Sequence, residues 1–211
     1  MLRNIVVGPE EKWIKHYSSS HQILLVGEGD FSFGACLARA FGSATNIVAT
    51  SLDSRGELMM KYSRAAMHLE ELQHLGCTII HGVDARTMGQ HSLLQNEFFD
   101  RIVFNFPHAP LLWREQDKSQ IKLHKKVVKG FLRSARDMLA RNGEAHVTHK
   151  TAHPFGDWEI VKLAEQVGLH LVQEVSFYLW EYPGYENKRG SGRLCDNSFP
   201  VGQCCTYKFA S

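Results

Sequence analysis

Gln22-Ile23-Leu24-Leu25-Val26-Gly27-Glu28-Gly29-Asp30 is the stretch on which the fold turns. Ile23 to Val26 is a short unbroken apolar run, the pattern of a strand buried on both faces, and it passes without a spacer into two glycines. Neither glycine carries a Cβ and both tolerate positive φ, so the backbone after this strand can approach a ligand closely. The residues after the turn, to about Phe41, suit a helix closed by Gly42.

Downstream, the same alternation repeats. A second strand, Asn46 to Ser51, ends in Leu52-Asp53-Ser54, after which Leu58, Tyr62, Ala65, Leu69 and Leu72 recur at helical spacing until Gly76. Cys77 to His81 reads as a third strand leading into Val83-Asp84-Ala85, and a helical region covers about residues 88–97. The β-rich run Phe99-Asp100-Arg101-Ile102-Val103-Phe104 then ends abruptly in the turn-prone Asn105-Phe106-Pro107-His108. A helix stripe of Ile121, Val128, Leu132, Ala135 and Leu139 is ended by Asn142-Gly143, and Glu144 to Thr148 gives a fifth strand. Trp158 to Val167 is expected as a helix, Leu169 to Trp180 as a long strand with Trp180 in the core, and Cys204 to Phe209 as the last strand. This order predicts an α/β fold, a mostly parallel sheet of about seven strands with helices on both faces and ligands at the strands' carboxyl ends. The last two strands have no obvious helix between them, which makes an antiparallel strand near the end of the sheet the expectation.

At 211 residues and 44% hydrophobic content the chain can bury a full core as one domain, residues 1–211, with an N-terminal arm at 1–20 and a basic Gly-rich loop at 181–203. Lys plus Arg number 24 against 22 Asp plus Glu, so any nucleic-acid contact must come from local clustering of charge. Five cysteines without a C-x-x-C spacing argue against a disulfide framework and a zinc cluster. No apolar run reaches membrane-spanning length, and Glu10, Glu11 and Lys12 stand where a signal peptide needs an apolar segment; a soluble intracellular protein is expected.

Strand ends carry the candidate chemistry. The third glycine of a dinucleotide fingerprint falls at Ser32, and the carboxylates Glu28 and Asp30 in the first turn would repel a pyrophosphate while tolerating a sulfonium cation, which favours S-adenosylmethionine over NAD. Asp53, 24 residues beyond Gly29, is spaced to accept from ribose hydroxyls, and Asp84 is placed to accept from an adenine amino group. Either aspartate is also suited to capping the helix that follows it. Asn105, the Phe106 carbonyl and an aromatic ring at a strand end can hold a planar nitrogen-bearing group. Lys122, Lys129, Arg133 and Arg136 each follow a residue of the apolar stripe by one position, and Lys126, four after Lys122, continues their row. This flanking ridge suits phosphates or, equally, a solvated helix face. Lys188, Arg189 and Arg193 sit among Gly184, Gly190 and Gly192 in a segment able to close over a nucleic acid, with Tyr182, Tyr185 and Trp180 as base-stacking candidates, although core packing is the favoured reading of Trp180. His146, His149 and His153 invite a metal, but alternation along a strand points them to different faces, so no metal site is expected.

Taken in order, GEGDFSF (Gly27 to Phe33), TSLDS (Thr50 to Ser54), Val83-Asp84-Ala85, FDRIVFNFPH (Phe99 to His108), GEAHVTHKT (Gly143 to Thr151), CDNSFPVG (Cys195 to Gly202) and TYKF (Thr206 to Phe209) resemble the Rossmann-like family of the large-subunit ribosomal RNA (uridine-N3)-methyltransferase, in a short plant-like form. The resemblance spans about residues 13–209. It implies a class I methyltransferase fold, S-adenosylmethionine held by Gly27 to Ser32 (Phe31 included), Asp53, Asp84 and Asn105, and ribosomal RNA or a pre-ribosome as partner, with a protein partner for substrate selection and a nucleolar or cytoplasmic location. In that setting Asn105, Phe106 and Pro107 would shape the acceptor site, with His108 the first candidate base and Asp30 the second. Two departures stand out: Leu25 where most class I enzymes keep an acidic residue, and Pro110 where many relatives have glycine. Two other classes fit parts of the pattern, a non-catalytic RNA- or protein-binding module on the same fold and an NAD-type oxidoreductase.

Overall fold

The computed structural model describes residues 10–211; the first nine residues of the expected N-terminal arm lie outside them. The rest of that arm is part of the fold rather than an appendage. Two short strands, β1 (Trp13–Ile14) and β2 (Tyr17–Ser18), form an antiparallel hairpin, and Tyr17 is fully buried.

In chain order come next β3 (Ile23–Leu25), α1 (Ser32–Phe41), β4 (Ile47–Ser51), α2 (Arg55–Lys61), α3 (Ala65–His74), β5 (Thr78–His81), β6 (Phe99–Asn105), α4 (Lys118–Arg136), β7 (Leu139–Lys150), α5 (Ile160–Glu165), β8 (His170–Ser176) and β9 (Cys204–Ala210). One seven-stranded sheet has the order β5-β4-β3-β6-β7-β9-β8. β3 is an interior strand, third in the order and paired in parallel with β4 and β6, and β9 alone runs antiparallel to its neighbours. The order reverses beside β3, so the turns after β3 and β6 flank the crevice where open α/β sheets bind ligands.

The unbroken apolar run is explained by this position. Leu24 and Val26 pack with Ile102, Phe104 and α4 on one face, while Ile23 and Leu25 pack with Val103, α1 and α3 on the other. Each such side chain, removed from water, stabilises the fold by ~1.5–3 kcal/mol.

Several element boundaries differ from those the sequence suggests. The stripe from Leu58 to Leu72 is two helices, because Tyr62 takes an extended conformation after a first helix begun by a Ser54–Glu57 capping box. Residues 88–97 hold only a 3₁₀ turn at Met88–Gln90. Leu139 belongs to β7, not to the preceding helix: Asn142 (φ 64°) and Gly143 form an irregularity inside the strand, and a side chain at Gly143 would press on the Phe99 carbonyl. The Trp158–Val167 segment divides into a 3₁₀ turn, Phe155–Trp158, and α5. The long strand stops at Ser176, and Trp180, expected in the core, is 77% exposed.

Candidate active site

Two adjoining hollows open at the carboxyl ends of β3, β4, β6 and β7. The first, about 370 Å³, is lined by the Gly27–Asp30 turn, Asp53, Asn105, His108 and part of the late loop. The second, about 300 Å³, lies on the β7 side, and Phe106, His108, Ser191 and Phe199 are common to both. Both volumes fall in the range of small-molecule sites.

Gly27 takes φ +67°, and any side chain there would run into the Phe104 ring, so this turn requires glycine twice over. Phe31, in the left-handed region at φ 62°, precedes α1 with its ring buried in the core, and the Ser32 hydroxyl bonds to the Glu186 backbone; neither lines the cavity. Glu28 and Asp30, equivalent as charges in sequence, part company. Glu28 turns inward, accepts from the Gly34 N–H at 3.1 Å, and burial pushes its carboxyl up to about 8, so it is largely neutral at pH 7. The negative charge of the turn therefore rests with Asp30. Its Oδ1 accepts from the Ser32 N–H, and its Oδ2 lies 3.7 Å from Lys188 Nζ and 3.8 Å from His68 Nδ1.

Asp53 stands on the cavity wall with Oδ1 held by Lys61 Nζ at 2.5 Å, leaving Oδ2 as its second acceptor. The structure does not bring Asp84 to this cavity: its carboxylate is taken by the forked guanidinium of Arg86 and by the Arg86 N–H. Two residues on, Arg86 satisfies it locally, which a reading of strand ends alone does not anticipate.

At the end of β6, the amide of Asn105 presents both Nδ2 and Oδ1 buried and without a partner among the described residues. An amide with its donors and acceptor unmet is costly to bury, and here it faces the first cavity. Phe106 is held at φ +48°, an uncommon conformation for a bulky residue and one that concentrates at functional sites. Its N–H donates to the Thr148 carbonyl, and its own carbonyl lies 3.3 Å from His108 Nδ1. With Nδ1–H donating there, His108 Nε2 keeps its lone pair, and burial holds the imidazole below its ordinary value although solvent reaches the ring through the cavities. Pro107 is buried and borders the second hollow.

Of the basic residues expected to meet RNA, Lys122, Lys126, Arg133 and Arg136 are exposed on α4, although Arg136 also bonds the Val167 carbonyl and Lys129 donates to Gln166. Arg189 and Arg193 are exposed on the late loop, and Arg189 borders the second hollow. Lys188 departs from the expectation: its ammonium is buried among Asp30, Glu186 and Asp196, so its charge serves the loop's closure and not an external phosphate. Tyr182 is also withdrawn, stacked on Phe177 inside the core, whereas Tyr185 lines the first cavity. His146 is fully buried against Tyr17 and Glu144, and His149 faces Trp158; among the described residues no three metal-type ligands converge. Sequence reading missed Lys61, Tyr62, Lys150 and Phe199, which come to the site from a helix end, a strand end and the late loop.

Sheet order, the glycine turn after β3 and the acidic residue after its neighbour β4 define a class I, S-adenosylmethionine-dependent methyltransferase. Solved structures with this fold include a methyltransferase from Pyrococcus furiosus (TM-score 0.54, 14% identity, 90% of this chain and 74% of that one) and a TehB-like SAM-dependent methyltransferase from Corynebacterium glutamicum (TM-score 0.51, 19% identity, 90% and 80%). Within that class the chain belongs to the BMT5-like family, described as rRNA (uridine-N3-)-methyltransferase BTM5-like, whose model matches residues 24–189. It is 54% identical over 202 residues to the uncharacterized protein At4g26485 of Arabidopsis thaliana, covering 94% of this chain and 97% of that protein. It is 52% identical to heavy metal-associated isoprenylated plant protein 41 of the same plant over 96% of this chain, but spans only 39% of that protein. A human relative, ferredoxin-fold anticodon-binding domain-containing protein 1, is 30% identical over 85% of this chain and 29% of its own length.

The residues present fit S-adenosylmethionine. The Cβ-free turn at Gly27, the Asp53 carboxylate on the wall, the charge of Asp30 and the unmatched amide of Asn105 supply close backbone approach, ribose acceptors, an anion for a cationic centre and a polar group awaiting a partner. No helix of the described residues is long and apolar enough to cross a membrane.

Proposed function

We propose that this protein methylates N3 of a uridine in large-subunit ribosomal RNA. The observation that carries the reading is the Asn105 amide, unmatched and buried at the strand end where the two cavities meet. In the first cavity Gly27, Gly29, Asp30 and Asp53 hold the methyl donor, which when bound supplies an electrophilic methyl group. The second cavity takes the acceptor base. Its Phe106, Phe155, Trp158 and Phe199 rings offer stacking surfaces, and a uridine must leave any duplex or fold to reach them. Asn105 and the Phe106 backbone orient the imide, and His108 Nε2, shared by both cavities, accepts the N3 proton.

RNA is positioned by the exposed cations of α4 and by Arg189 and Arg193, with ribosomal RNA or a pre-ribosome as the physical substrate and the nucleolus or cytoplasm as its place. The family description supports this acceptor. The test is to incubate the protein and labelled donor with large-subunit ribosomal RNA fragments and with pre-ribosomes, digest, and look for N3-methyluridine. Its formation by wild type, abolished by Asn105→Ala, is the expected result. Donor binding without transfer to either substrate would support a binding module on this fold instead.

A further inference from the structure

Lys150, at the end of β7, is a cation that no carboxylate of the described residues meets at ion-pair distance, Glu115 standing further off in the same hollow. Its Nζ lies 4.6 Å from the centroid of the Phe155 ring and 4.7 Å from that of Phe199, and among the described residues the ammonium makes no hydrogen bond or ion pair. The two phenyl faces hold the ammonium by cation–π attraction inside a hollow walled by aromatic rings. That setting leaves the ammonium half-buried, facing a hollow of about 300 Å³ with room for a flat heterocycle. Across the cavity stand His108 and the Phe106 turn.

We propose that Lys150 is a catalytic residue that donates to a carbonyl oxygen of the acceptor uracil and stabilises the N3-deprotonated imide as it forms. This rests on the uridine-N3 reading above and adds to it the group that makes the nitrogen nucleophilic. Uracil N3 has no free lone pair in the plane until its proton leaves, and the charge left behind is shared by the two flanking carbonyl oxygens. An ammonium facing one of them lowers the cost of that charge. In the step itself the N3 proton passes to His108 Nε2, a bond forms between N3 and the methyl carbon, and the methyl–sulfur bond breaks with its electron pair remaining on sulfur. The same donor discriminates against cytosine, which carries an amino group in place of one carbonyl and offers a donor where Lys150 needs an acceptor.

The ionisable groups around the ammonium are Glu115 before α4, His124 on α4, His108 and His149 at the ends of β6 and β7, Arg189 on the late loop and Cys204 on β9. Burial foremost, with Arg189, holds the Lys150 ammonium below its ordinary value, against Glu115 and Cys204. It thus combines a positive charge with a readiness to share its proton.

The test compares wild type, Lys150→Gln and Lys150→Arg in single turnover across pH, on a large-subunit ribosomal RNA transcript made with uridine or with 5-fluorouridine, whose N3 proton is more acidic. Donor binding, measured separately, is expected unchanged. Lys150→Gln should slow N3-methylation about 100-fold on the uridine transcript but only about 10-fold on the fluorinated one. Its rate should also keep rising to a pH at least one unit higher than wild type, with Lys150→Arg intermediate. Equal loss on both transcripts with an unmoved pH profile would overturn the proposal and make Lys150 a binding or bracing residue. Failure of wild type to produce N3-methyluridine on any substrate would instead overturn the parent reading, and this inference with it.

Discussion

Lys188 Nζ stands 3.7 Å from Asp30 Oδ2 and so ties the late loop to the glycine turn after β3. The same ammonium bonds Glu186 and Asp196 at 2.9 Å, and Asp196 in turn accepts from the Ser63 hydroxyl and N–H. The loop therefore forms one wall of the donor cavity with a buried cation at its base, beside the Ser63–Asp196 and Ser32–Glu186 bonds. Lys188→Met would leave the buried Asp30 carboxylate with its Ser32 N–H but without the lysine facing Oδ2; because Glu186 and Asp196 are partly solvated, the expected loss is about 2–3 kcal/mol of stability, less than a wholly buried pair would give. Donor affinity should fall at least ten-fold and protease cleavage within 181–203 should quicken. Calorimetric donor titration with limited proteolysis would check both, and unchanged affinity would sever the link between loop and cavity.

Glu28 makes a prediction with a definite sign. Its folded value is raised to about 8 from an ordinary 4.5, chiefly by burial, so the folded state retains a proton that the unfolded state has released. The stabilisation is full below about pH 4.5 and is lost as pH rises toward about 8. Glu28→Gln keeps an acceptor for the Gly34 N–H and removes the titration. The variant should gain on the order of a few kcal/mol relative to wild type between pH 5 and 9, read as urea midpoints at each pH. A constant difference between the two proteins over that window would refute the assignment.

Gly27→Ala tests the turn that positions the donor. A methyl group there meets the Phe104 ring, and the residue must hold φ +67°. The two penalties separate in a double variant: Gly27→Ala should cost about 3 kcal/mol, and adding Phe104→Leu should recover the steric part while leaving roughly 1 kcal/mol from the backbone. Additive losses in the double variant, measured by denaturant unfolding, would mean that the ring is not the obstacle.

Legibility followed the range of the interactions. The β3 run and its glycines, the parallel order and the antiparallel β9 could be read because burial on two faces and short connections leave a direct imprint on sequence. Asn105 and His108 were legible for the same reason: a strand end followed by a proline turn is local. Lys188 was misread because Asp30 and Asp196, which claim its charge, are 158 and 8 residues away along the chain. Asp84 failed on a shorter scale, since spacing after a strand says nothing of an arginine two residues on that can fold back. Leu139 continued a helical period by chance, and the helix had already stopped three residues earlier at Arg136. Lys150 lies within the GEAHVTHKT stretch, but nothing in the sequence marked it as a site residue, its neighbours Phe155 and Phe199 being brought together by a turn and by the late loop.

The His124–Trp158–His149 stack predicts the acid limit of the fold. Trp158 is buried, with His124 stacked on it at 4.3 Å and His149 packed at a tilt of 37° and 4.1 Å between ring centroids, and burial lowers the two imidazoles to about 4 and about 3. Both are neutral in the folded protein, whereas the unfolded chain takes up protons near pH 6.5. Their contribution is therefore fully present above about pH 6.5 and is lost as pH falls toward 4 and 3. Trp13, Trp113 and Trp180 are exposed, so a change of buried tryptophan emission reports Trp158. Acid titration of wild type should shift that emission to the red as the stack opens below about pH 5. His149→Gln, which titrates nothing, should move the midpoint to lower pH while lowering stability at pH 7 through lost ring contact. If the midpoint instead stays where it is in wild type, the stack does not set the acid limit, and another buried imidazole, His146 beside Glu144, becomes the group to replace next.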